Sequence, residues 1–284
     1  MSIVSNLWRR MRASTVSFSN AWFDATIARV PGLTKLSEPE RRRLRQLARE
    51  FAAEKRFSGV HGFAVTTAVR TRIATLAAWP MLNLGYQAFE GWRDLVIYPG
   101  AFRATRRERD PLTGVMHEYE VNLEGESWQH GPLILSWQDL EHDLRHPSGQ
   151  QNVLIHELAH KLDALDGVMD GRPPLHPQMS GDAWAKVFSA AYADLSQRHQ
   201  AGERCPIDPY GAQEPEEFFA VCCETYFTAP DVLRQAYPEV AAQMDQFFRG
   251  GGPSGHASGP ASGQRSGRSS GRSSGSDAGS NSDW

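Results

Sequence analysis

His156, Glu157 and His160 stand in the order H-E-L-A-H. On an α-helix, residues four apart share a face, about 5–6 Å between Cβ atoms, so the two imidazoles can converge on one ion at about 2.0–2.1 Å. Glu157 lies beside that face and can reach a water that the ion activates, which is the general base of a zinc hydrolase. The competing reading is a surface helix that carries two histidines by chance. Against it, the neighbours Val153, Leu154, Ile155, Leu158, Ala159 and Leu162 are apolar. Imidazoles embedded in such a helix need polar partners, and a metal supplies one.

A catalytic zinc site needs a third protein ligand and one open position. Asp166 lies six residues after His160, but a third ligand at that distance requires a glycine at 163 to break the helix, and the residue is Asp163. Asp166 is therefore discounted. The stretch from Glu216 to Glu224 reads as a second helix, and Glu217 is the preferred third ligand because the small Ala220 beside it lets two helices approach closely. Glu224, two turns on, shares a face with Glu217 and is either a carboxylate that orients a ligand imidazole or an ordinary exposed glutamate. Tyr210, in a loop signalled by Pro206, Pro209 and Gly211, is either a donor to a developing oxyanion or a tyrosine packed on the surface. Asp163 is a hydrogen-bond acceptor behind the ligands or a helix-surface charge. Cys222 and Cys223 point about 100° apart on a helix and read as small buried hydrophobes rather than ligands.

The elements that must hold these residues follow from capping and periodicity. Ser148 and Gln151 form an S-x-x-Q box ahead of the H-E-x-x-H helix, and Asp166 and Gly167 supply its stop. Upstream, Ser37 and Glu40 make an S-x-x-E box for an amphipathic helix with Leu44, Leu47, Ala48 and Phe51 on its apolar face, and its run Arg41, Arg42, Arg43 reads as a solvated face. A packing helix is expected over 67–84. Short β-type runs cover Asp94 to Tyr98, Val115 to Val121 and Pro132 to Trp137, the last a candidate edge strand beside the catalytic helix. From 148 to about 249 the pattern is helical. The expectation is an α+β, mostly helical, zincin-like fold with a small mixed or antiparallel sheet. A single domain spans 1–249, with a helical part to about 90 and a catalytic part from about 91. The Gly/Ser-rich segment 250–284, with Arg265, Arg268 and Arg272, cannot offset its ordering entropy and is expected to be a disordered tail.

Composition narrows the function classes. The chain has 284 residues, of which 40% are hydrophobic, enough for a sizeable core. Thirty basic against 33 acidic residues leave a formal charge of −3, so no global field draws the protein onto nucleic acid. Three cysteines make no disulfide framework and fit a reducing compartment. With no signal peptide and no apolar run of membrane-spanning length, a cytoplasmic location without membrane contact is expected.

Taken together, three segments resemble the Mlc titration factor A family: H-E-L-A-H-K-L-D from His156 to Asp163, L-x-G-E-S-W-x-x-G-P-L-I-L-S-W from Leu123 to Trp137, and Y-x6-E-F-F-A from Tyr210 to Ala220. E-K-R-F from Glu54, L-N-L-G from Leu82 and V-I-Y-P-G-A-F from Val96 extend the resemblance over most of 37–249. The resemblance implies a cytoplasmic zinc metallopeptidase related in its catalytic core to the C-terminal domain of anthrax lethal factor. It implies one zinc ion on His156, His160 and Glu217, with Glu157 as general base and Tyr210 at the oxyanion, and aminopeptidase-like cleavage of peptides. It also implies a protein partner, a glucose-responsive repressor of the Mlc type, although no residue identifies the surface that binds it. The rival from another class is a regulatory protein that sequesters a transcription factor and uses its zinc site for order alone. A degenerate scaffold is a third reading, against which the complete set of five site residues speaks.

Overall fold

The structure is a computed structural model and describes residues 13, 16–100, 102–109, 116–123, 131–147 and 149–250. The expected tail thus lies outside the described residues, apart from Gly250 itself, which closes the last helix. In chain order the main elements are α1 (Asn20–Arg29), α2 (Pro31–Thr34), α3 (Glu38–Glu54), β1 (Arg56–Gly59), α4 (Thr67–Ala78), β2 (Asp94–Tyr98), β3 (Phe102–Arg109) and β4 (Met116–Leu123). They continue with β5 (Leu133–Ser136), α5 (Trp137–Arg145), α6 (Val153–Asp163), α7 (Gly181–Gln200), α8 (Pro215–Thr228), α9 (Pro230–Ala236) and α10 (Pro238–Gly250). The architecture is α+β and mostly helical, as the sequence pattern implies.

The α3 helix forms where the capping box predicts: Ser37 N–H donates to the Glu40 carboxylate at 2.8 Å, and Leu44, Leu47, Ala48 and Phe51 are buried. Its Phe51 ring meets Phe57, Phe89 and Trp92 edge-on, joining the helix to β1 and to the segment before β2. The α4 helix stops at Ala78 rather than running to 84. Pro80 has no N–H to offer Leu76, and the Trp79 N–H closes the last turn on that carbonyl instead.

The strands make two sheets instead of one mixed sheet. β1, β2 and β5 lie in the order β1-β2-β5, all parallel, with Leu95 opposite Leu133 and Ile97 opposite Leu135. All four of these side chains are fully buried, as strands covered by helices require. β3 and β4 pair separately, antiparallel, from Phe102↔Leu123 to Arg109↔Met116. β5 has β2 on one side and no strand on the other among the described residues, and it packs against α6.

One hydrophobic core runs from Phe23 in α1 to Phe248 in α10. The α6 and α8 helices pack against each other inside it, and that contact creates the candidate site. Among the described residues, no helix is long and apolar enough to cross a membrane.

Candidate metal centre

The α6 helix starts one turn later than the S-x-x-Q pattern suggests. Asn152 is its N-cap and accepts the Ile155 N–H at 3.0 Å. Ser148 lies outside the described residues, and Gln151, exposed, donates instead to Asp208 at 2.8 Å. Two carboxylates reinforce the start of the helix. Asp143 accepts the Val153 N–H at 2.8 Å, and Glu224 Oε2 accepts the Asn152 N–H. Negative charge at a helix N-terminus opposes the positive end of its dipole. At the other end, Gly167 adopts φ +93° after a short 3-10 turn, the expected stop.

From this helix His156 and His160 meet edge to face, their ring centroids 4.8 Å apart. The two Nε2 atoms are 3.1 Å apart, and Glu217 Oε2 from the first turn of α8 stands 3.0 Å from one and 3.4 Å from the other. These three ligand atoms form a group able to hold a metal ion. Three atoms bound to one tetrahedral zinc at about 2.0–2.1 Å stand about 3.3–3.4 Å from one another, close to what is found. His156 Nδ1 lies 2.8 Å from Glu224 Oε1, which holds a proton on Nδ1, so the neutral ring presents its lone pair on Nε2. Glu217 Oε2 faces both ring nitrogens without a well-directed donor of its own. Two ring nitrogens and a carboxylate aimed at one point call for positive charge between them, from a metal ion or, without one, from a proton on His156.

The electrostatics carry the same sign. Burial works against charge on His156, but the Glu217 carboxylate beside it and the hydrogen bond to Glu224 override it and hold its pKa well above the ordinary imidazole value. Burial likewise opposes ionisation of Glu217, yet the two imidazoles bring its pKa down to about 2. Glu157 is 1% exposed, and neither of its oxygens has a hydrogen-bond partner. Burial, with the Glu217 charge adding to it, lifts its pKa to about 7 against the pull of the two histidines. A carboxylate near neutrality beside a cation-seeking cluster is matched to taking and returning a proton at physiological pH.

Glu224, open between two readings in the sequence, is 6% exposed and bonded to His156, so it is no surface glutamate. Asp163 is fully buried. Burial raises its pKa to about 7, while the Gly171 N–H that it accepts favours its charged form. Tyr210 sits on the 3-10 turn Pro209–Ala212, 46% exposed, its ring 5.8 Å from that of His156. Asp208 caps that turn by accepting the Tyr210 N–H at 2.9 Å. Asp166 is exposed in the turn after α6, where it accepts the Val168 N–H, and it does not belong to the cluster. Cys222 and Cys223 are buried, and burial raises both thiols far above the usual value, as inert hydrophobes require.

Two residues of the site escape sequence reasoning. Asp143 reaches the start of α6 from α5, a tertiary contact with no local signal. Lys161 is 2% exposed, one turn beyond Glu157, and donates to the Gly131 carbonyl at 3.0 Å. Burial lowers its pKa to about 8 although Glu157 pulls upward. Its signal was legible: a lysine on an otherwise apolar helix at i+4 from the glutamate.

A helix-borne H-E-x-x-H whose imidazoles meet a glutamate from a second helix defines a metallopeptidase-type scaffold. Residues 5–249 match the family described as glucose-regulated metallo-peptidase M90. The chain is 35% identical over 222 residues to Mlc titration factor A of Klebsiella pneumoniae (strain 342), a match covering 78% of this chain and 83% of that protein. It is 34% identical, with the same coverage, to the Mlc titration factor A proteins of Escherichia coli (strain K12 / DH10B) and Shigella boydii serotype 18. The chain belongs to this M90 metallopeptidase family, and membership implies a divalent metal.

Proposed function

We propose that residues 1–249 form one cytoplasmic, zinc-dependent peptidase unit that hydrolyses peptide bonds in an aminopeptidase-like manner. The observation that carries this reading is the convergence of His156 Nε2, His160 Nε2 and Glu217 Oε2 beside the buried, unpartnered carboxylate of Glu157. The donor set of two imidazoles and one carboxylate suits zinc. When bound there, zinc lowers the pKa of water and polarises a carbonyl group.

The chain's own residues supply the remaining chemistry. Glu157 takes the proton from the attacking water and returns it to the departing amine, a task for which a pKa near 7 is suited. Tyr210 donates its phenolic hydrogen bond to the substrate carbonyl oxygen as negative charge grows on it. Glu224 holds His156 in the tautomer that leaves Nε2 free. The side of β5 that carries no strand among the described residues receives an extended peptide by strand addition, backbone to backbone.

Hydrolysis of a panel of aminoacyl and short-peptide substrates tests this. Wild type turns over, and Glu157→Gln keeps its zinc while losing turnover. Zinc-loaded wild type that cleaves no member of the panel contradicts it. A second reading rests on the name of the relatives: the chain titrates a repressor of the Mlc type, with the zinc site serving order alone. In that case Glu157→Gln leaves repressor binding and its cellular effect intact.

A further inference from the structure

Behind the ligand pair the structure is asymmetric. His156 Nδ1 has the Glu224 carboxylate at 2.8 Å, whereas His160 Nδ1 is buried with no hydrogen-bond partner. Because His160 directs Nε2 at the cluster, its Nδ1 carries the ring proton, and a buried donor without an acceptor is costly. One turn further along the same helix, Asp163 is fully buried and its Oδ1 is an acceptor without a donor. Residues three apart are neighbours on a helix. A donor and an acceptor, both buried and both orphaned, thus sit on adjoining positions of α6.

The second oxygen of Asp163 is already committed. Oδ2 accepts the Gly171 N–H at 2.8 Å, and the Gly171 carbonyl accepts the Trp184 indole N–H at 3.2 Å. Gly171 has φ +80°, and a Cβ there would stand 2.5 Å from the Pro215 carbonyl oxygen, so only glycine permits the approach. Pro215 opens α8, two residues before Glu217. One carboxylate therefore keeps Oδ1 uncommitted one turn from one ligand and, with Oδ2, holds Gly171 against the start of the helix that carries another.

Resting on the zinc reading above, we propose that Asp163 is the positioning residue of His160. Its Oδ1 accepts the His160 Nδ1–H, directly or through one water, when the ion is held, while Oδ2 fixes the spacing between α6 and α8. Each ligand imidazole then has its own carboxylate, Glu224 behind His156 and Asp163 behind His160. An asparagine cannot replace Asp163, because its side chain has one acceptor oxygen for two N–H donors.

The test is zinc affinity, by competition with a chromophoric chelator, for full-length wild type, Asp163→Asn and Glu224→Gln, with near-UV circular dichroism confirming folding. Asp163→Asn weakens zinc about 10- to 100-fold and shifts the visible spectrum of the cobalt-substituted protein, as Glu224→Gln does. Wild-type affinity and an unaltered cobalt spectrum in a folded Asp163→Asn protein overturn the proposal and leave Asp163 as a structural brace. A wild type that binds no zinc defeats the metal reading itself. If Asp163→Asn does not fold, histidine-selective 15N spectra of zinc-loaded wild type decide. Two slowly exchanging Nδ1–H resonances are expected, one each from His156 and His160, and finding only that of His156 overturns the assignment.

Discussion

Two histidine pairs with the same spacing lie on consecutive helices. His142 and His146 end α5 with ring centroids 4.3 Å apart, closer than the 4.8 Å of His156 and His160. They border a cavity of about 340 Å³ together with Cys205 and Asp208. By sequence spacing alone the two pairs look alike. The difference is what stands behind and across from them. The His142 side chain is 61% exposed, its Nδ1 is 3.7 Å from Asp143, and His146 Nδ1 turns back onto the His142 carbonyl of its own helix. No third ligand atom joins that pair among the described residues. The His156 and His160 side chains are 14% and 7% exposed, and Glu217, Glu224 and Glu157 surround them. An i,i+4 pair becomes a centre when carboxylates from a second helix are buried against it.

The largest effect that sharpens this contrast is removal of the base. Glu157→Gln keeps the ligand set and lowers turnover by about 10²- to 10⁴-fold, with zinc content unchanged in elemental analysis. Loss of zinc from that variant would show that Glu157 acts as a ligand. Next, Glu224→Gln weakens zinc about 10- to 100-fold in a chelator competition, because His156 loses the partner that sets its tautomer. Alanine at both His142 and His146 leaves zinc stoichiometry and affinity as in wild type. A second ion that disappears with the double variant breaks the comparison.

The smallest effect probes burial of charge on a lysine. Lys55, 5% exposed, donates to the Trp92 carbonyl at 2.6 Å and to that of Phe89, and its ammonium lies 3.5 Å from the centre of the Trp92 ring. Burial, with repulsion from Lys161, lowers its pKa from 10.5 to about 7. The unfolded chain thus holds this proton between about pH 7 and 10.5 when the folded one has released it, so this residue's contribution to stability grows as pH rises through that window and is lost below it. Urea unfolding at pH 6, 8 and 9.5 should show wild type gaining on Lys55→Met with pH. A constant difference between the two would mean that Lys55 titrates normally.

The legible part of the molecule was whatever local chemistry writes. The α3 capping box and the glycine stop after the H-E-x-x-H helix appear where their residues place them, while that helix itself starts one turn after its S-x-x-Q box. Glu217 lies beside both histidines, on a helix that also carries the small Ala220. The strands β1 and β3 were not legible. Arg-Phe-Ser-Gly is too short to show alternation, and Phe-Arg-Ala-Thr-Arg-Arg-Glu-Arg has almost no apolar residues to alternate. The Gly171–Pro215 approach joins elements far apart in sequence, which no window along the chain can see, and Asp143, although only on the preceding helix, reaches Val153 with no local signal.

Zinc titration of the metal-free full-length protein, followed calorimetrically, tests the central claim most directly. One tight ion per chain is predicted for wild type, and loss of that binding for His156→Ala, His160→Ala and Glu217→Ala, each confirmed folded by circular dichroism. No binding by wild type, or wild-type affinity in Glu217→Ala, would contradict the assignment of the centre.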